Sequence, residues 1–360
     1  MPENSKARKK VVFLITTLTG GGAERVVVRL ANALSEKHDV IVMPLYKAAG
    51  YSVSDRVRIE DFQFPGIDNM KAPLIIKSAY WRFYAYRAFC RMLKKEKPDV
   101  TVSFLYKPHL LNMVAIGAGK KIMSERAVPK VEGAGSFTWT KLAFSFADTV
   151  VFQSHTVKGL FPKRIRRKGV VIPNPVDVPC FASGRSHRIV TAGRLMGQKN
   201  HAMLIRAFAS FSKSHPLHTL HIYGTGDLEE KLRDLIREYS LEGKVFLEGF
   251  SANVHEAIKD AEQFVLSSDF EGMPNALLEA LMMGLPCITT SFLGAEEFFG
   301  ESNALIMTPV GDENAMSEAM TKLADDNDFR VRIASTGAEF AKRFSFDRVI
   351  PQWETVLFDS

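Results

Sequence analysis

Apolar residues along this chain gather into short unbroken runs, separated by longer stretches in which they recur every three or four positions. The runs "VVFLITTL" (11–18), "DVIVMPLY" (39–46), "DVTVSFL" (99–105), "KIMS" (121–124) and "TVVFQS" (149–154) predict strands covered on both faces. A glycine turn leads from the first of them into "AERVVVRLANALSEK", where Val26, Val27, Leu30 and Leu34 mark one face of a helix. Strand and helix keep alternating, which predicts a parallel α/β sheet. The rhythm stops at "VVIPNPVDVPCFASGRSH" (170–187), whose three prolines and Ser-Gly step read as a connector. A second series then begins: strands in "RIVTAGRL", "TLHIYGTG", "KVFLEGF", "QFVLSSD" and "PCITTS", with helices in "NHAMLIRAFASFSKSH", in "LEEKLRDLIREYSL" and from about Pro274. The expected fold class is α/β, with two Rossmann-like domains.

Composition agrees with that picture. A chain of 360 residues is long for a single core. No apolar run reaches the roughly 18 residues needed to cross a bilayer. The basic N-terminus runs straight into a strand with no small-residue cleavage site, so the protein is expected in the cytoplasm. Cys90, Cys180 and Cys287 have no metal-like spacing and read as reduced thiols. Charge is asymmetric. Residues 1–170 carry 30 Lys/Arg against 13 acids, while the remainder carries 17 against 27. The basic half is expected to face something anionic.

The stretch "DFEGMPNALLEAL" (269–281) places two glutamates eight positions apart. Pro274 suits the first position of a helix, because its missing N–H would have no helical partner there. Glu271 then lies on the loop after a strand and Glu279 in the second helical turn. The amides of Met273, Asn275 and Ala276, beside Gly272, would form an anion-binding helix N-terminus, and Glu279 would accept hydrogen bonds from sugar hydroxyls. The alternative is a dipole partner at Glu271 and a solvated helix residue at Glu279. In "AGRLMGQKN", Gly193, Arg194 and Lys199 occupy a strand-to-helix turn, where two cations suit a diphosphate; surface charges at a helix start are the other reading. Gly224 and Gly226 in "YGTGDLEEKL" allow close backbone approach to a ligand or, equally, a tight turn.

These motifs resemble, over essentially the whole chain, the retaining glycosyltransferases of family 4. "FEGMP" through Glu279 and "ALMMGLPCI" is similar to their E-x7-E signature, "VVIPNPVD" to their connector, and "FSFDRVIPQWETVL" to their closing segment. "TLTGGGAERVVVRLANAL" resembles the glycine motif of the bacterial branch that assembles lipid-linked oligosaccharides and surface polysaccharides. The resemblance implies a GT-B fold, two Rossmann-like parallel-sheet domains facing across a cleft. Residues 1–172 would bind acceptor, completed by 343–360 crossing back, and 173–342 would bind the nucleotide-sugar donor. It implies Arg194, Lys199 and Glu271 as catalytic residues, Gly249 at the nucleotide-base edge, and Gly21 and Gly22 over the donor from the other domain. It implies no metal and no cofactor.

On the acceptor side the candidates are His109, in what reads as a loop ("YKPHLLN"), and Glu125 and Arg126 after the strand "KIMS". Residues 75–97 mix Trp81, Phe83, Tyr84, Tyr86 and Phe89 with basic residues every three to five positions, and 162–168 adds five cations. Both suit an anionic membrane surface; for the helix, one packed and one solvated face is an equal reading. No nucleic-acid module is recognisable. The expected activity is retaining transfer of a hexose or N-acetylhexosamine, UDP-linked by resemblance, to a lipid-linked or polysaccharide-precursor acceptor at the inner membrane face. A soluble acceptor, or a catalytically silent nucleotide-binding protein, are the alternatives.

Overall fold

The computed structural model describes residues 7–19, 22–46, 53–62, 74–126, 134–182, 186–300 and 302–359. The chain divides into two compact units, Met1–Pro173 with Ile350–Ser360, and Asn174–Val349.

The first unit runs β1 (Lys10–Ile15), α1 (Gly22–Ser35), β2 (Asp39–Pro44), β3 (Val57–Ile59), α2 (Leu74–Glu96), β4 (Val100–Phe104), α3 (Tyr106–Val114), β5 (Lys120–Ser124), α4 (Ala134–Ser145), β6 (Thr149–Phe152), α5 (His155–Gly159), α6 (Lys163–Arg166) and β7 (Gly169–Val171). Its sheet is parallel throughout, in the order β3-β2-β1-β4-β5-β6-β7. The apolar runs become its central strands: Val11 to Ile15 and Val100 to Phe104 are buried along their whole length, as both faces are covered by crossover helices.

The second unit runs β8 (Arg188–Ala192), a single 3-10 turn at Gly197–Lys199, α7 (His201–Phe211), β9 (Thr219–Tyr223), α8 (Glu229–Glu238), β10 (Val245–Gly249), α9 (Val254–Ile258), β11 (Gln263–Leu266), α10 (Asn275–Met283), β12 (Cys287–Thr290), α11 (Ala295–Phe299), β13 (Ile306–Thr308), α12 (Glu313–Asp325) and α13 (Asn327–Ala341). Its parallel sheet has the order β10-β9-β8-β11-β12-β13. The last helix, α14 (Phe346–Phe358), contains the division between units. Within the first unit its Trp353 is fully buried, stacked on Phe104 of β4 at 6.1 Å between ring centroids.

Three local expectations change. The segment holding His109 is helical, as α3. Pro108 occupies its third position, where a backbone N–H would lack a helical partner in any case. Pro274 caps α10 rather than starting it. The first two connector residues, Val170 and Val171, belong to β7.

In each sheet the strand order reverses once, between β1 and β4 and between β8 and β11. Open α/β sheets bind ligands at the carboxyl ends of the strands flanking such a reversal.

Candidate active site

In the second unit, that rule points at the loops after β8 and β11. The two are laced together. Gln198 Nε2 donates to Phe270 O at 2.8 Å, and the Asp269 amide donates to Gln198 O at 2.9 Å. Asn200 Nδ2 donates to Asp269 Oδ1 at 2.7 Å, and Ser267 Oγ to Lys199 O at 2.8 Å. Asn200 adopts a left-handed conformation (φ 45°) and caps α7, its side chain accepting from the Met203 amide. Lys199 Nζ then meets Glu271 Oε1 at 2.6 Å, and Ser268 Oγ donates to the same oxygen at 2.7 Å. Glu271 is only 6% exposed. A buried carboxylate is tolerable only when paired and hydrogen-bonded, and these two donors satisfy that requirement. Arg194 lies exposed on the same turn.

Gly193 leaves room for the lysine: a Cβ there would lie 3.2 Å from Lys199 Cε. Gly224 and Gly226 each stand directly against the backbone of the β8 loop. A Cβ on Gly224 (φ 145°) would sit 2.0 Å from Gly193 O, and one on Gly226 2.3 Å from Leu195 O. They allow the β9 loop to approach the β8 loop, where the Leu195 amide donates to Thr225 O at 3.0 Å. Gly249 ends β10, and its carbonyl accepts from the Gly224 amide at 2.8 Å.

Glu279 is buried in α10, 3% exposed, with Oε2 3.1 Å from His255 Nε2 of α9. The two glutamates of the signature thus have separate basic partners, Lys199 and His255. Around the start of α10 the side chains are more engaged than a bare anion cradle. The Asn275 amide donates to Met273 O at 3.0 Å, so it is not among the open donors. Asn275 Oδ1 accepts from Asn174 Nδ2 at 2.7 Å, and the Asn174 amide donates to Met273 Sδ at 3.0 Å. Gly272 and Ala276 are half-buried beside them. His201 is buried next to this site and is held neutral, its pKa lowered to about 4 by burial and by the Lys199 charge.

The candidates of the first unit follow β1, β4 and β5. Gly21 lies outside the described residues, and Gly22 is the exposed first residue of α1. Thr17 Oγ donates to Glu24 Oε1 at 3.0 Å, fixing that first-turn acid. His109 is 1% exposed, with Nδ1 2.9 Å from Ser103 Oγ and its ring edge-on to Phe144; burial lowers its pKa to about 3. It is a core histidine on α3. Leu105, which precedes α3, takes the strained φ of 69° at the carboxyl end of β4. Glu125 is buried and accepts from the Arg126 amide at 3.0 Å. The Arg126 guanidinium lies 5.5 Å from the Phe104 ring centroid and 5.3 Å from that of Trp353. Burial pulls its pKa down to about 9, against the opposing charge of Glu125. Arg126 therefore ties α14 to β5.

Reading the sequence alone misses His255, Ser268 and Asn174. The first has no local signal, because its partner is 24 positions away. Ser268 does have one, standing at the end of a strand beside the E-x7-E loop. Among the described residues one group has the spacing of a cation site, His187, His218 and Glu262. It lies where β8, β9 and β11 begin, at the opposite edge of the sheet, and its carboxylate is also 3.2 Å from Arg330 Nη1.

Residues 20–178 match the glycosyltransferase family 4 model, and residues 182–340 the model of glycosyl transferases group 1. The chain belongs to the family 4 glycosyltransferases. An alpha-1,4-N-acetyl-D-galactosaminyltransferase of Campylobacter jejuni, which acts on an undecaprenol diphosphate-linked GalNAc-GalNAc-diNAcBac chain, is 26% identical over 96% of this chain and 97% of its own. The lipopolysaccharide core biosynthesis glycosyltransferase LpsE of Rhizobium meliloti is 24% identical over 89% of this chain and 90% of its own. Among solved structures, Anabaena HepE in complex with UDP and glucose superposes with a TM-score of 0.82 at 17% identity, covering 98% of this chain and 100% of that one. TarM superposes with a TM-score of 0.81 at 13% identity, covering 99% and 100%. The fold of this glycosyltransferase is GT-B.

Proposed function

We propose that this glycosyltransferase moves a hexose or N-acetylhexosamine from a UDP-sugar to a lipid-linked sugar acceptor at the inner face of the cell membrane, with retention and without a metal. Residues 174–349 bind the donor in this reading, and the first unit binds the acceptor. The observation that carries it is the row of candidates along one sheet edge. Gly249 ends β10, and Gly224, Gly193 and the Ser268–Glu271 loop follow β9, β8 and β11; the four strands are neighbours in that order. At about 4.8 Å between strands the row spans roughly 14 Å, the scale of a nucleotide sugar lying across it. The base lies by Gly249, and the ribose hydroxyls hydrogen-bond to Glu279. The diphosphate lies against Lys199 and Arg194, and the sugar against Glu271.

Chemistry follows from charge. The bond from the anomeric carbon to the β-phosphate oxygen breaks, and a bond to the acceptor oxygen forms on the same face. The acceptor proton passes to the leaving phosphate. Lys199, Arg194 and the N-terminal end of α10 offset the charge that gathers on that phosphate. The UDP bound to HepE, and the undecaprenol-linked acceptor of the Campylobacter relative, support the substrate classes.

The test is a thermal-shift panel of UDP, GDP, ADP and CMP with EDTA or magnesium, followed by NMR of the anomeric linkage formed from the matching α-linked donor. Stabilisation by UDP in EDTA and an α-linked product are expected. A strictly magnesium-dependent shift, or a β-linked product, overturns the mechanism.

A further inference from the structure

One face of α4 carries exposed apolar side chains at helical spacing. Trp139 is 51% exposed, Leu142 39%, and Phe146, just beyond the helix end, 56%. The steps of three and four positions place them in one stripe. Thr140, Ala143, Phe144 and Ala147 turn into the core instead. α4 packs on α3, which ends at the exposed Val114, and the loop after it presents Ile116, 82% exposed. Single exposed apolar residues are ordinary on protein surfaces, whereas clusters on one helix pair are not. Five of the fifteen large apolar side chains exposed among the described residues belong to this one region.

Charge surrounds the stripe. Residues 134–172 contain seven Lys/Arg and one acid, Asp148, whose carboxylate accepts from the Lys121 amide at 2.7 Å. α6 packs against α4, and Lys163, Arg164, Arg167 and Lys168 on and after it are exposed. Lys168 Nζ donates to Ser145 O at 2.9 Å and to Ala147 O at 2.7 Å, which fixes a cation beside Phe146. By contrast, the exposed face of α2 offers Arg87, Arg91, Lys94 and Lys95. Phe83 is the one large apolar residue exposed among its described side chains, and the Arg87 guanidinium covers its ring at 5.5 Å.

An aromatic-rich apolar centre with a cationic rim is the complement of an anionic bilayer. Rings sit at the boundary of headgroup and acyl chain, and lysine and arginine meet lipid phosphates. We propose that the first unit docks on anionic lipid through α4, with Trp139, Leu142 and Phe146 inserted and the α6 cations against the headgroups. This inference rests on the reading of a lipid-linked acceptor and names the surface that brings the enzyme to it. α2 adds long-range attraction, and the stripe supplies the insertion.

The experiment is co-sedimentation of the full chain with phosphatidylcholine vesicles, with and without about 30% phosphatidylglycerol, at about 0.1 M and 0.5 M salt. Tryptophan emission is recorded in parallel. Wild type is expected on the anionic vesicles, weakened but retained at high salt, with a blue shift that Trp139→Phe removes. Trp139→Ser with Phe146→Ser is expected to lower partitioning at least tenfold. The UDP thermal shift and transfer to a lipid-linked acceptor in detergent should persist in that variant. Unchanged partitioning in the double variant overturns the proposal, as does a wild type that stays off every vesicle. So does a wild-type dimer that dissociates on mutation of the stripe, which would make the face a protein interface. Loss of transfer in detergent by wild type itself would instead overturn the acceptor reading.

Discussion

Glu271→Gln keeps the shape of the side chain and removes its charge, which leaves Lys199 facing an amide where it had a carboxylate at 2.6 Å. The lysine side chain is only 17% exposed and the glutamate side chain 8%. Removing one partner of a buried pair costs about 3–5 kcal/mol; the remaining solvent access of Lys199 reduces that to about 2–3 kcal/mol. For a unit the size of residues 174–349, this corresponds to a melting point lower by about 5–10 °C without ligand. A bound diphosphate would supply the missing negative charge. UDP should therefore stabilise Glu271→Gln by more degrees than it stabilises wild type, even as turnover falls by about a hundredfold or more. Scanning fluorimetry with and without UDP, alongside donor turnover, makes the comparison. An unliganded variant as stable as wild type, or one that gains less from UDP, refutes the argument that Lys199 passes from carboxylate to diphosphate.

Three further outcomes follow from the same geometry. His255→Phe should weaken UDP binding about fivefold with the maximal rate retained, while His255→Gln recovers most of the affinity; calorimetry of both in a cycle with Glu279→Ala should show that the two losses do not add. His109 is neutral in the folded state down to about pH 3, against an ordinary value near 6.5, so the unfolded chain takes up the proton first. Its contribution is complete above about pH 6.5 and is lost at about 1.4 kcal/mol per pH unit as the pH falls from there toward 3, the amount by which urea titrations of His109→Gln should be shallower than those of wild type. Gly224→Ala would force a Cβ against Gly193 O and should destabilise by about 3 kcal/mol or more, whereas Gly197→Ala, which meets nothing within 4 Å, should stay within about 0.5 kcal/mol in the same melts.

How far the sequence carries the argument depends on the distance over which each feature is determined. Buried parallel strands announce themselves locally, because both faces need apolar side chains; "VVFLI" and "VTVSF" are legible for that reason. The signature loops are legible too, since the chemistry they resemble is carried by residues within a dozen positions. Pro108 misleads, because proline breaks a helix in its interior yet fits the first turn, and only the structure shows which position it holds. Gly224 and Gly226 are visible as glycines, but what they approach is another loop, 31 positions earlier in the chain.

Arg126 shows the same limit most sharply. At the end of a strand it reads as a residue poised for a ligand, and nothing nearby in sequence competes for it. Among its partners are Phe104, on the neighbouring strand, and Trp353, which the chain supplies only after the whole second unit has been built. The guanidinium is drawn onto two aromatic faces because α14 closes over β4, and burial there lowers its pKa to about 9. Glu271 and Glu279 run the opposite way. Each stands where its motif places it, after β11 and in the second turn of α10, and each is held by a base from another crossover, Lys199 after β8 and His255 on α9. The eight-residue step between them is thus set by the fold: it reaches from the loop after β11 into the second turn of α10, so that one motif touches the elements that follow β8 and β10 on either side of β9.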